Sequence, residues 1–426
     1  MLATFGLLVG DPRLEATDNN RSQSWSLDQS DASRQLRTFI DAKEAQAQAL
    51  AKAEGKTLPS EFAMFFAAAS KGEAGTVTNL LDTMRKQYPS YGGNNRSLCE
   101  AAWEPILEVG GALEVFATAG DKYAIAFGQD TINSIPPRSI YFGGTDWGRF
   151  VITALSTSQI NANPFFTITP KFFTQTPTGQ INRNDNLSYL RSMYGRWIKI
   201  ASEQDVQRCL QEYAGELRDR QARGERLSPD ELATTKGGAV QIRGVQDAMN
   251  LDGRISKLIF DQNPDREFYY EESFVMPWMY PYLEPHGLIL KLNRTPLSQI
   301  DPAVVATDRD YWDGLTRRLL ADPEFLANKW TRGHYAKLRS AIAGVYSYWR
   351  MAGEAEYAFK QAAALDPPSP EANFRLAQLY AEENRFDDAI AVITALQQLD
   401  PTNPKLQAAI SQLEHLKQTR QPKVPN

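Results

Sequence analysis

Cysteine and histidine are scarce in this chain of 426 residues: two of the first and three of the second. Cys99 and Cys209 are too few for a disulfide framework or a four-cysteine zinc site. His286, His334 and His415 stand far apart and show no metal-ligand spacing. No metal and no cofactor is therefore expected, and no Ser-His-Asp or Cys-His arrangement can be assembled. No uncharged apolar run reaches the roughly 18 residues that a membrane-spanning helix needs. Nor is there an excess of positive charge. The 46 Lys and Arg against 51 Asp and Glu leave a formal net charge of −5, which excludes a generally basic nucleic-acid binder. Residues 1–10 (MLATFGLLVG) are apolar but lack a basic residue ahead of them, and Asp11 and Pro12 follow at once. They read as a buried or frayed N-terminus or as the remnant of a secretory signal. Localisation, whether cytoplasmic, periplasmic or secreted, stays open.

What is present is ordinary globular composition, 42% apolar and 23% charged, enough for two or three domains. After a polar linker at 16–34, runs rich in Ala, Glu, Gln and Lys predict helices over 33–56, 60–70, 74–88 and 97–119. In the second, Phe62, Phe65 and Phe66 recur at i, i+3, i+4. A helical region is expected over 1–120. Past residue 123 the pattern changes. Strands are predicted at 139–142, 165–169, 197–200, 239–243, 268–274 and 288–292, with helices at 187–194, 203–223 and 245–260 between them. Alternation of this kind predicts an α/β domain over 121–300, a Rossmann-like three-layer fold on a mainly parallel sheet. The charged stretch 211–236 reads as a solvated helix and loop. Its bases alternate with acids and lack interleaved aromatics, so nucleic acid is not an expected partner.

One turn in this domain points to a ligand. The strand at 139–142 ends in Gly143, Gly144, Thr145 and Asp146 and feeds a helix that carries Arg149. Glycines at the carboxyl end of a strand leave backbone N–H groups free for an oxygen-rich ligand. Asp146 would repel a phosphate, so a sugar-like small molecule fits better than a nucleotide. Glu271 and Glu272 are neighbours on a strand and point to opposite faces. One of them, taken as Glu272, can approach Asp146. The bland alternative is a tight turn with Asp146 as helix cap. Asp308-Arg309-Asp310 spells the DxD of metal-dependent glycosyltransferases but lies outside the α/β region, and it reads as a capping cluster. Tyr269, Tyr270, Trp278, Tyr280 and Tyr282, interleaved with Pro277, Pro281 and Pro285, are core residues or a platform for sugars or proline-rich peptides. The segments PPRSIYFGGTD and REFYYEESF…YPYLEPHGLILKL resemble the soluble domain of bacterial protein O-mannosyltransferase-like membrane proteins. Transferase chemistry in that family belongs to the membrane part. The resemblance implies the soluble fold and a glycan-facing edge over about 120–295, not the activity.

The clearest regularity is a period of 34 near the C-terminus. Residues 336–369 set against 370–403 place Ile342-Ala343 on Leu376-Ala377, Tyr346 on Tyr380, Ala355 on Ala389, Phe359 on Ile393, and Asp366-Pro367 on Asp400-Pro401. This pattern resembles the tetratricopeptide repeat (TPR). The whole chain is similar to a group of uncharacterised bacterial TPR proteins that lack a membrane part. Two repeats and a capping helix at 404–418 make an α-solenoid pair over 336–426, joined through a helical connector at 301–335. Because about three repeats are needed to bury enough surface, the pair is expected to dock on that connector. Inner-face positions are Lys337, Ser340, Gly344, Ser347 and Tyr348, then Glu371, Phe374, Gln378, Ala381 and Glu382. Tyr348, Phe374 and Gln378 are the candidate protein contacts, for a peptide or for self-association. The functional expectation is a non-catalytic interaction or scaffold protein with an α/β ligand-binding-type domain. The alternative is a carbohydrate-related binding protein or enzyme using the 143–146 turn. The first predicts an exposed apolar face near Phe374, and the second a deep pocket at the turn.

Overall fold

The computed structural model describes residues 31–87, 102–144, 147–156, 164–170, 173, 185–228, 231, 234–236, 239–241, 244–271 and 275–420. Five helices open the chain: α1 (Asp31–Ala53), α2 (Ser60–Ser70), α3 (Ala74–Gln87), α4 (Trp103–Ala119) and α5 (Asp121–Ser134). Their apolar spacing explains their packing. Phe62, Phe65 and Phe66 lie on one stripe of α2 and are fully buried. Helix α4 is buried almost all round, with Ile106, Val109, Leu113 and Phe116 in the core, because α1, α2, α3 and α5 all pack on it.

The middle of the chain corrects the expected Rossmann-like, three-layer α/β fold. The described residues are mostly helical, and the strands are three or four residues long. These are β1 (Ile140–Phe142), β2 (Phe166–Ile168), β3 (Thr234–Lys236), β4 (Ala239–Gln241), β5 (Phe268–Tyr270), β6 (Leu283–His286) and β7 (Ile289–Leu292). Five of them form one small mixed sheet in the order β2-β1-β5-β7-β6. Strand β1 runs parallel to β2 and β5, with Ile140 opposite Phe166 and Phe268. The β5–β7 and β7–β6 pairs are antiparallel. Strands β3 and β4 make a separate hairpin and never join this sheet. The segment 197–200 is a turn, in which the Trp197 and Ile198 amides donate to Tyr194 O. Strand β6 escaped the sequence reading because it contains Pro285. An edge strand tolerates a residue that cannot donate to the ladder, and β6 is an edge. Gly287, at φ +62°, opens the two-residue turn into β7.

Between β1 and β2 a π-helical turn (Trp147–Val151) runs into α6 (Ile152–Ser156). Helices α7 (Asp185–Tyr194), α8 (Glu203–Ala222) and α9 (Val245–Gln262) complete the body. A Ser202–Asp205 capping box starts α8. The π-helical turn packs on α4 and α5, and α1 packs on α6. The N-terminal helices therefore share the core of the sheet region.

The C-terminal part consists of α10 (Pro302–Leu320), α11 (Pro323–Ala327), α12 (Lys329–Tyr348), α13 (Ala352–Leu365), α14 (Pro370–Glu382), α15 (Phe386–Leu399) and α16 (Pro404–Arg420). The 34-residue register is carried by small residues at helix crossings. Ala343 and Ala377, and Ala355 and Ala389, each pair 34 apart, are all fully buried. The helix-to-helix turns repeat too: Arg350 (φ 60°) and Asn384 (φ 61°), 34 positions apart, both adopt the left-handed conformation. Helix α10 packs on α13 and supplies the extra layer that two repeats lack. The Asp308 cluster is not a cap, since Asp301 caps α10 by accepting from the Ala303 amide at 2.8 Å. Asp308 sits inside the helix and is buried, accepting from Arg339 Nη1 at 2.7 Å and the Tyr346 hydroxyl at 2.8 Å. Asn328 ties the start of α12 to the end of α4 by donating to Thr118 O and Ala119 O. Among the described residues no helix is long and apolar enough to cross a membrane.

Candidate functional site

Strand β1 runs into Gly143 and Gly144, and the Glu271 side chain lies against Gly144. The Gly143 amide donates to Ile168 O, and the Gly144 amide donates to Glu271 Oε2 at 2.8 Å. Glu271 leaves the end of β5, where its own amide donates to Phe142 O, and it is buried. A Cβ on Gly144 or on Gly148 would overlap the Glu271 carboxylate. Gly144 and Gly148 thus allow the close approach of a carboxylate of this chain. Thr145, Asp146 and Glu272 lie outside the described residues, as does Cys99.

Arg149, the candidate beyond the turn, has partners on α4 that the sequence reading did not name. It sits on the π-helical turn, is 1% exposed, and pairs with Glu104 of α4. Glu108, one helical turn further on, lies 3.8 Å away through its Oε1. The other Glu108 oxygen takes Lys43 Nζ of α1 at 2.5 Å. Lys43 also donates to the Tyr189 hydroxyl at 2.9 Å and to Gln46 Oε1 at 3.0 Å. Two cations and two carboxylates from α1, α4 and the π-helical turn thus balance in the interior, with Tyr189 of α7 between them. Burial lowers the Lys43 pKa, against the pull of Glu108. Burial, then Glu108, lifts Tyr189 well above its ordinary value. For Arg149 burial opposes the charge, but Glu104 and Glu108 outweigh it and the pKa rises. Such a cluster tolerates no missing member, because an unpaired buried charge costs about 3–5 kcal/mol. The sequence reading missed it. Its visible signal is Glu104 and Glu108, four apart and on the face of the mostly apolar helix WEPILEVGGALEVF away from the exposed Glu114.

A groove of about 630 Å³ lies elsewhere, between α8 and α9, with Tyr213, Met249, Gly253 and Trp278 among its lining residues. Charges on its walls pair with one another: Arg254 with Glu216, Arg220 with Glu231, and Lys257 with Asp261. Cys209 also lines it, with burial raising its thiol pKa.

On the solenoid, Phe374 is 4% exposed and Ala381 2%. Phe374 itself is not on an exposed face, because its ring belongs to the core. Tyr348 is 45% exposed. Gln378 is half-buried and donates to Glu382 Oε1 at 3.0 Å. Ser340 is buried and Gly344 half-buried, since the body packs here: β6 and β7 lie against α12, and Tyr280 stacks on Tyr348 with centroids 5.1 Å apart and planes 22° from parallel.

Comparison with known proteins identifies this part. Residues 351–413 match the tetratricopeptide repeat family, spanning α13 to α16 for the greater part of that helix. No curated protein and no solved structure matches the chain. The likeness of residues 120–295 to an O-mannosyltransferase soluble domain gains no support from these comparisons. The chain carries TPRs, and such repeats point to a role in protein–protein interaction or scaffolding.

Proposed function

We propose that this chain is a non-catalytic scaffold whose TPR pair, held against a helical body, presents its inner face to a partner protein. The observation that carries this reading is the part of the inner face the body leaves open: Gln378 and Glu382, with the side of Tyr348 that Tyr280 does not cover, on two neighbouring repeats. A photo-crosslinking residue at position 378, compared with one at the outward Lys360, tests it. Adducts of defined mass from 378 and none from 360 are expected, with sedimentation separating a second copy of this chain from another protein. Equal adducts at both positions, or none, would remove the reading.

A second reading, binding of a sugar-like small molecule at Gly143, Gly144 and Glu271, is favoured by one observation. Arg149 follows Gly148, whose bare Cα makes room for Glu271, and it belongs to the cluster of Lys43, Glu104 and Glu108, whose burial is costly. Against it, Glu271 and Arg149 already hold the fold together. A thermal-shift screen with neutral and acidic sugars decides between them, since a ligand of the native state raises the melting temperature by mass action.

A further inference from the structure

We propose that the inner face of the repeat pair contains a tyrosine-accepting pocket, filled in this structure by the chain's own Tyr280, and that partners of the scaffold present a proline-flanked tyrosine that competes for it. The inference rests on the scaffold reading and names the partner's chemistry. Three observations meet at the pocket. First, Tyr280 begins a 3-10 turn (Tyr280–Tyr282) between Pro277 and Pro281, and its ring lies flat on Tyr348. Second, the wall beneath is built from inner-face positions four apart on α12, namely Ser340, Gly344 and Tyr348. At Gly344 an added Cβ would stand 3.2 Å from Arg375 Nη1 and 3.8 Å from the Tyr280 hydroxyl. Third, the next repeat closes the pocket from α14. Arg375 donates to Ser340 O at 3.2 Å and pairs with Glu371 at 3.4 Å. Burial raises the Tyr280 pKa, with Arg375 opposing, so the phenol is neutral and its oxygen lies in the field of the guanidinium.

Side chains from both repeats thus grip one aromatic residue in the groove that solenoids use for partners. Prolines on either side of Tyr280 fix φ and so hold the turn that presents it at little entropic cost. A tethered occupant competes at an effective concentration on the order of millimolar. An external segment of the same chemistry therefore binds weakly while Tyr280 is in place and well once it is gone.

The test uses the full chain and a fluorescein-labelled peptide of residues 275–284 (VMPWMYPYLE), read by anisotropy. The expected result is saturable binding to Tyr280→Ala at least tenfold tighter than to the unaltered chain. A peptide with alanine at position 280 should bind at least tenfold more weakly. Equal binding to both chains, equal binding of both peptides, or no binding to the variant would overturn the proposal. Should Tyr280→Ala not fold, hydrogen exchange on the unaltered chain serves. The Met279 and Tyr282 amides donate to Met276 O and Met279 O, and millimolar peptide should speed their exchange; an unchanged pattern overturns the proposal. Crosslinking at position 378 keeps the two readings apart. Adducts that persist while the peptide fails leave the scaffold standing without the pocket, and adducts absent from both chains remove the scaffold itself.

Discussion

His334 shows how much one side chain depends on what folds around it. Its ring stacks on Trp147 at 4.2 Å and meets Phe127 edge-on at 5.0 Å. Burial, and then the charge of Lys337, hold its pKa well below 6.5. The unfolded chain takes up a proton near pH 6.5 that the folded chain refuses. Stability is therefore full above that pH. It declines below it by about 1.4 kcal/mol per pH unit until the folded ring titrates. Urea midpoints should fall between pH 7 and 5.5, and His334→Phe should lose clearly less over that interval. An equal loss in both chains would place the acid sensitivity elsewhere. Nothing in the local sequence marks His334, because the residues that bury it come from α5 and the π-helical turn, some 200 positions away. Arg149 was visible as a candidate, but its pairing with α4 was not. Its partners, Glu104 and Glu108, stand on a helix that only the tertiary fold brings beside it.

Helices were legible where composition and capping act locally. Residues 60–70 and 203–222 fall within a residue of the spans their spacing predicts. Strands were less so, because segments of three residues carry too little alternation to fix their partners. The segment 239–241 is a strand as expected but pairs only within its own hairpin, and Pro285 concealed β6. The repeat turns offer a test at this scale. Arg350 and Asn384 hold equivalent left-handed positions, yet asparagine tolerates that conformation and arginine pays in steric crowding. Arg350→Gly should stabilise the chain by about 0.5–1 kcal/mol, after allowance for the freer unfolded chain, and Asn384→Gly should be near neutral. Denaturant midpoints check both, and a loss at position 350 would mean that the arginine side chain does more than cross the turn.

For the whole molecule, the 34-residue period made the solenoid readable, since repeats contact their neighbours in sequence. The helical body was not readable as such, because short parallel strands were taken for a larger sheet. Docking of the repeats on α10 was anticipated in outline, and Asp308 shows its chemistry. It joins α10 to Arg339 and Tyr346 of α12, with Arg339 also holding Gln361 Oε1 of α13 at 2.8 Å. Asp308→Ala strands a buried guanidinium and should cost about 3–5 kcal/mol. The double change Asp308→Leu with Arg339→Met should recover much of that. A single-variant loss under about 1 kcal/mol by chemical denaturation would show that α10 is held by apolar packing alone. The docking of Tyr280 and of β6 on α12 reaches beyond stability. With one flank of the first repeat welded to the body, a protein engineer could lengthen this superhelix in one direction only, by splicing new hairpins in ahead of residue 404.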